Sequence, residues 1–309
     1  MSLKREKLYC FRILYIYLVT AFLLFTISCD DSNPLMPEDT SYNVTYEDSI
    51  LFNSGRSPGI QIAYIDGSGI RTICDTIVGI ASWSSNKRKI IIVGSSINDI
   101  QDEGIYIYNL ANYELLRIIQ QERKVQNAVY SPDMNYIAYS VIQDSLGYKL
   151  KLFNVSSGEI SDLTDWKFQT MDDISWSPNS KDILIDDGYV INIDTKVMEV
   201  LFTFSGSNPS IIAPNWSPDG TKVVFSAHTQ EGRTNLFIYN LITGETNVIY
   251  EIDEFQFVAS WSKDGNKIIF DQRPYGNANS YICKINVDGT NFVRITDGTY
   301  FDFRPRWNK

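Results

Sequence analysis

The 309 residues carry 27 Lys plus Arg against 37 Asp plus Glu, a single His and four Cys. A formal charge of −10 excludes nucleic acid and an anionic bilayer surface as main partners, since both need basic patches. One histidine, His228, excludes a zinc centre built on several imidazoles, and the cysteines are too few for a disulfide-built fold, while the length is ample for a sizeable core.

Residues 1–28 read as a targeting segment. Lys4, Arg5, Lys7 and Arg12 give a basic start, and residues 13–27 run uncharged for a length that suits a signal peptide and is short for a membrane span. The close, FTISCD, resembles a bacterial lipoprotein signal, with Thr26 where that pattern has Leu. The resemblance implies lipidation of Cys29 and a membrane attachment in the bacterial cell envelope. Asp30 resembles an inner-membrane retention signal, while the acidic stretch also resembles a surface-export signal. The residue mix, rich in Ile, Asn, Tyr, Asp and Ser, favours the outer membrane, on its periplasmic or surface-exposed side. Each buried acyl methylene adds roughly 0.8 kcal/mol of membrane affinity. An ordinary signal peptide or an uncleaved anchor is the alternative. Losing residues 1–28 removes four basic groups and one acidic group, which leaves a formal charge of −13. Residues 29–48, with Pro34 and Pro37, form a polar linker, and residues 49–309 form the folded domain.

From there one phrase recurs: SWSSNKRKIIIVG from Ser82, VYSPDMNYIAYS from Val129, SWSPNSKDILID from Ser175, NWSPDGTKVVFSA from Asn215 and SWSKDGNKIIFD from Ser260, with RPRWNK from Arg304 opening a sixth. The aromatic positions Trp83, Tyr130, Trp176, Trp216, Trp261 and Trp307 are spaced by 47, 46, 40, 45 and 46 residues, a period typical of solenoids or propellers. A second phrase follows each full copy, as in GIYIYNLANYELLRI from Gly104 or NLFIYNLITGETNVI from Asn235. It reads as two short strands around a Gly, Asn, Asp or Ser turn. Each period therefore predicts four strands, and nothing after residue 30 has a helical periodicity.

The turn inside the first phrase has a geometric purpose. Pro fixes φ, Asp or Asn bonds back to its own backbone, and Gly supplies the left-handed residue that closes the hairpin. The aromatic before it ends the innermost strand, where a wide ring packs between sheets; a ligand-stacking platform is the other reading of these rings. Ahead of the first full copy, SILFNS from Ser49, GIQIAYIDG from Gly59 and IRTIC from Ile70 match the second, third and fourth strands of a unit whose first strand is missing. Residues 303–307 supply it. The prediction is an all-β fold: a six-bladed β-propeller of four-stranded antiparallel blades, closed by a C-terminal strand joining the N-terminal blade. Cys74 and Cys283 fall at different strand depths, which favours two separate buried thiols, a bridge in an oxidising envelope being the alternative.

The WSPDGxKIxF phrase, followed by IYxxNxxxG and a short strand, resembles the WD40-like (PD40) repeats of TolB-like propellers over roughly residues 45–309. Tyr130 replaces Trp, Asn86 to Arg88 replaces the Pro-Asp-Gly chemistry, and Lys263 replaces Pro. The resemblance implies a propeller in the envelope. The α/β domain that precedes the propeller in TolB is not expected here, because residues 30–48 are only a polar spacer. Propellers host binding modules and enzymes alike, so the resemblance leaves the activity open.

The turns between first and second strands, and between third and fourth, are short and alike, whereas the other connections vary and emerge on the opposite face. That variable loop face is the expected binding surface. Its loop at 164–173 offers Trp166 and Phe168 beside Asp172 and Asp173, and aromatic rings carry protein interfaces at low entropic cost. Trp166 folded back over a blade edge is the alternative. His228 is a candidate acid–base group beside Glu231 and Arg233, or beside Arg273 if the next loop turns inward, with a solvated loop histidine as the other reading, and Tyr300 adds a ring. Arg56, Arg273 and Arg304 read as carboxylate clamps or as salt-bridge partners of the surplus acids. Asp99, Asp102, Asp172, Asp173, Asp186 and Asp187 are the candidates to converge on Ca²⁺, which takes about six to eight oxygen ligands; no EF-hand spacing accompanies them, and no other cofactor is implied. There is no G-x-S-x-G elbow for a serine hydrolase. The leading expectation is a non-catalytic, monomeric, lipid-anchored envelope propeller that binds a protein or glycan through its loop face. The alternative is a divalent-ion-dependent hydrolase or lactonase with its site at the channel mouth.

Overall fold

The computed structural model describes residues 26–28, 46 and 48–308, other than 121–124, 145–146, 165–167, 169–170, 172, 205–210, 229–233, 252–253, 275 and 277. The predicted lipidation site Cys29 and most of the linker lie outside the described residues.

In chain order, β1 (Thr26–Ser28) precedes β2 (Ser49–Ser54), β3 (Ile60–Tyr64) and β4 (Arg71–Cys74). The first complete blade is β5 (Ile77–Trp83), β6 (Lys89–Ser96), β7 (Asp99–Asn109) and β8 (Glu114–Gln120). The second is β9 (Val125–Tyr130), β10 (Tyr136–Asp144), β11 (Gly147–Asn154) and β12 (Ile160–Asp162). The third is β13 (Ser175–Trp176), β14 (Asp182–Leu184), β15 (Tyr189–Asn192) and β16 (Met198–Val200), with a short 3-10 turn at Asp186–Gly188. The fourth is β17 (Ile211–Trp216), β18 (Lys222–His228), β19 (Thr234–Asn240) and β20 (Thr246–Tyr250), and the fifth is β21 (Glu254–Trp261), β22 (Lys267–Pro274), β23 (Tyr281–Asn286) and β24 (Val293–Arg294). Finally β25 (Asp302–Trp307) joins β2, β3 and β4 to make the sixth.

The clasp has the predicted partners. Ile50 lies opposite Trp307, Leu51 opposite Arg306, Asn53 opposite Phe303 and Ser54 opposite Asp302, all antiparallel. The Asn308 amide extends the pairing by donating to the Ser49 carbonyl at 3.1 Å. One feature departs from expectation: β1 pairs antiparallel with β8, so the first blade has a fifth strand on its outer edge, where unpaired backbone groups are available.

Hydrophobic burial explains why the strands read as they do. The apolar clusters lie between blades: Leu51 and Ile62 of the sixth pack with Ile90 and Tyr108 of the first, and Ile50 and Trp307 pack with Ile269 and Ile282 of the fifth. Similar wedges join every other adjacent pair. A middle strand is thus covered on both faces and reads as a continuous apolar run, as in β18, where the five residues 223–227 are buried. Outer strands face water and keep little of this, as the exposed ends of β16 and β20 show. Cys74 and Cys283 are separate buried thiols.

The recurring turn depends on one residue that the Pro-Asp-Gly reading passes over. Ser84, Ser131, Ser177, Ser217 and Ser262 each donate a hydroxyl hydrogen bond to Asn86, Asp133, Asn179, Asp219 or Asp264 two residues on. Each hydroxyl oxygen also accepts the backbone N–H of the fifth residue along, at 2.9–3.0 Å. The left-handed position is Gly220 or Gly265 in two copies but Lys87, Met134 and Ser180 in the others. Serine and Asx therefore carry the turn, and the first copy keeps it despite lacking Pro, Asp and Gly. The hydroxyl of Ser262, with the Asn266 amide, holds the Asp264 carboxyl down at about 2.

Candidate functional site

The ring's axis is lined by positions fixed relative to each aromatic residue. Directly before it stand Ser82, Val129, Ser175, Asn215, Ser260 and Arg306; three before it stand Ile80, Asn127, Asp173, Ala213, Val258 and Arg304. The chain stitches blades together here. The indole N–H of Trp83 donates to the Arg306 carbonyl, that of Trp176 to Val129 and that of Trp261 to Asn215, at 2.9–3.1 Å. The amides of Trp216 and Trp307 donate in turn to the hydroxyls of Ser175 and Ser260 on the preceding blades. None of the six aromatic residues is more than 8% exposed, so they are interblade wedges that show edges, not faces, to a ligand.

Two columns break their own pattern, at Arg306 and Asp173, and these two residues meet. The third and sixth blades lie opposite each other, three blades apart in either direction. Nη2 of Arg306 donates to Oδ1 of Asp173 across the axis at 2.6 Å, and Nδ2 of Asn127 donates to the same oxygen at 2.7 Å. Asp173 is fully buried and the Arg306 side chain is 9% exposed. Among the described residues, Nη1 of Arg306 and Oδ2 of Asp173 have no hydrogen-bond partner.

Above this pair opens a cavity of about 340 Å³. Arg306, Ser175, Asn215 and Ser260 form its floor, the edges of Trp83, Tyr130, Trp176, Trp216 and Trp307 its walls, and Ser85, Pro132, Pro178 and Pro218 its rim. It is a funnel on the face of the recurring turns, opposite the variable loops. The buried Tyr130 hydroxyl in its wall is pushed up to about 12 by desolvation.

Some of the described residues expected on the loop face are engaged inside the protein. Phe168 pairs backbone to backbone with Tyr148, at 2.8 and 3.0 Å, and its half-buried ring packs 6.4 Å from that of Tyr189. Trp166 and Asp172 lie outside the described residues, as does the side chain of Asp102. Asp173 is the axial ion-pair partner, not a rim carboxylate. Asp186 is buried and accepts the Ala213 amide at 3.0 Å, whereas Asp99 and Asp187 are exposed, Asp187 accepting the Ile211 amide at 3.3 Å. Among the described residues no three of His, Cys, Asp or Glu form a metal-binding group. His228 Nδ1 lies 3.1 Å from the Thr234 hydroxyl across the β18–β19 hairpin. The Arg273 guanidinium sits 5.5 Å from the centre of the Phe301 ring. Arg56 pairs with the buried Asp302 at 2.9 Å and covers Tyr300, 5.0 Å from the ring centre, which is the salt-bridge reading of that arginine.

A further axial carboxylate, Asp271, is buried and accepts the Val258 amide at 2.9 Å. Desolvation raises its pKa from 3.8 to about 6, against the opposing pull of the Val258 amide and of Arg304. A raised carboxyl favours folding below the unfolded value and loses that contribution as pH climbs through about 6. Asp271→Asn is therefore expected to match the wild type in stability below about pH 4 and to exceed it at pH 8 by on the order of 3 kcal/mol, measured by urea unfolding at the two values.

A search for known relatives agrees with this architecture. Residues 186–309 match the family described as PD40, the TolB beta propeller domain. The Tol-Pal system protein TolB of Alcanivorax borkumensis is 33% identical over 66 residues, which cover 21% of this chain and 15% of that protein. The crystal structure of TolB from Acinetobacter baumannii superimposes with a TM-score of 0.72 at 18% identity, covering 84% of this chain and 66% of that one. Putative TolB from Agrobacterium tumefaciens gives 0.60 at 17% identity, over 84% and 97% of the two chains. The chain thus spans 15% of the length of the curated relative and 66% of the first solved one. Five four-stranded sheets, a first blade that carries β1 as a fifth strand and a terminal clasp make the described domain a six-bladed β-propeller, a fold shared with these TolB structures and similar over residues 186–309 to the TolB beta propeller domain.

Proposed function

We propose that this propeller is a non-catalytic binding module of the bacterial envelope, held at the outer membrane by an acylated Cys29, and that it grips a protein partner in the turn-face funnel. The observation that carries the reading is the funnel itself, about 340 Å³ deep in the ring axis and within the usual range of ligand sites. Its floor has serine hydroxyls and one arginine but no nucleophile–base pair, which supports binding over catalysis. The buried ring faces favour a protein over a glycan, since sugars stack on open aromatic faces. Likeness to TolB propellers supports an envelope partner. The turn face is proposed in place of the variable loops because Phe168, Asp173 and Asp186 of those loops serve the fold.

The test is site-specific photo-crosslinking in cells that make the full chain. A benzophenone amino acid at Ser85, exposed on the funnel rim, is expected to trap a partner, and one at Tyr300 on the loop face is not. Adducts from Tyr300 alone would return the binding surface to the loops.

A further inference from the structure

We infer that the segment entering the funnel is acidic and delivers a Glu or Asp side-chain carboxylate to Arg306. This rests on the protein-binding reading of the funnel and names what the partner must present. The guanidinium at the floor uses Nη2 on Asp173 and leaves Nη1 buried with no acceptor among the described residues. A buried donor without an acceptor is costly, and the planar fork of arginine matches a carboxylate better than any other common side-chain acceptor. Asn127 steadies Asp173, which in turn fixes the guanidinium, so the free edge is held before anything binds.

The surroundings suit an anion in an otherwise acidic chain. The turns at 84–89, 131–136, 177–182, 217–222 and 262–267 hold more Lys and Arg than Asp and Glu, with Lys87, Arg88, Lys263 and Lys267 among them. The turn carboxylates Asp133, Asp219 and Asp264 do not line the cavity and are tied into their own turns by a serine hydroxyl and a backbone amide. They stay ionised, but these bonds hold them in their own turns and away from the arginine. Between rim and floor the walls are aromatic edges and prolines, which take the methylenes of a glutamate stem.

The experiment uses the full chain labelled with ¹⁵N at the tryptophan indoles. The probe is the capped tripeptide acetyl-Gly-Glu-Gly-amide, with its Gln counterpart as control. The Glu peptide is expected to shift the indole signals of Trp83, Trp176, Trp216 and Trp307 in a saturable way. The Gln peptide should bind about tenfold more weakly, the loss of one charge-assisted contact. In the double variant Arg306→Gln with Asp173→Asn, which removes both charges together and so keeps the axis neutral, the two peptides should become equal while the folded spectrum persists. Equal binding of the two peptides to the wild type, or no indole shift at about 10 mM Glu peptide, overturns the inference. Ser85 adducts without a Glu preference would sink this inference alone, whereas absence of Ser85 adducts would sink the reading on which it rests.

Discussion

A chain ending at Asp302 is expected to lose cooperative folding altogether. Residues 303–307 supply most of the innermost strand of the sixth blade, and their removal bares the edge of β2. It deletes Trp307, 5% exposed and wedged against Ile269 and Ile282 of the fifth blade. It also deletes the carbonyl of Arg306 that accepts the Trp83 indole, and so cuts the ring's contacts on both sides of the clasp. Emptying one buried tryptophan site costs about 3–5 kcal/mol, and stranding one buried charge costs a similar amount. Together these approach the whole stability of an ordinary domain, about 5–15 kcal/mol. Thermal melting followed by circular dichroism should show no cooperative transition, and size-exclusion chromatography should show aggregates from the unpaired edge. A truncated chain that melts within a few degrees of the full one would mean that the sixth blade closes without β25.

The repeat made the ring legible before any coordinates. Aromatic positions at near-constant spacing gave the blades, and the three orphan strands at 49–74 gave the clasp, because both follow from local pattern and from the need to leave no open edge. The turn was legible in part. Proline and glycine stand out in SPDG, yet Ser217 and Asp219 make the bonds, and Ser84 and Asn86 make the same ones without either. Less could be read of the site. Phe168 looked available on a varied loop, and only the backbone pairing with Tyr148 shows it folded onto the second blade. Arg306 and Asp173 are 133 residues apart, and no local periodicity connects them. A signal did exist in the columns: among the residues directly before the aromatics, Arg306 alone is charged, and three positions before them Asp173 is the only acid. What the columns lack is the closure of the circle, which decides that these two exceptions face each other.

The second large effect concerns that pair. Arg306→Met leaves Asp173 ionised and buried with only Asn127 for company, and Asp173→Asn leaves the guanidinium without its counter-charge. Each single change is expected to cost about 3–5 kcal/mol, because breaking a buried ion pair exposes the desolvation penalty of the survivor. Removing both charges at once should return stability to within about 1–2 kcal/mol of the wild type, since an uncharged pair has no such penalty. Trp307 and the β2–β25 pairing are untouched in all three variants, so the ring itself stays closed.

The coupling energy from that double-mutant cycle, obtained by urea unfolding of the four proteins, tests the architecture most directly. Distant, independent sites add within about 0.5 kcal/mol, whereas partners in one buried pair do not. If the terminal strand closes a six-bladed ring and reaches across its axis to floor the funnel, Asp173 and Arg306 will show a coupling of about 3 kcal/mol or more. Additive effects of the two substitutions would contradict the closed ring and the binding site built on its floor.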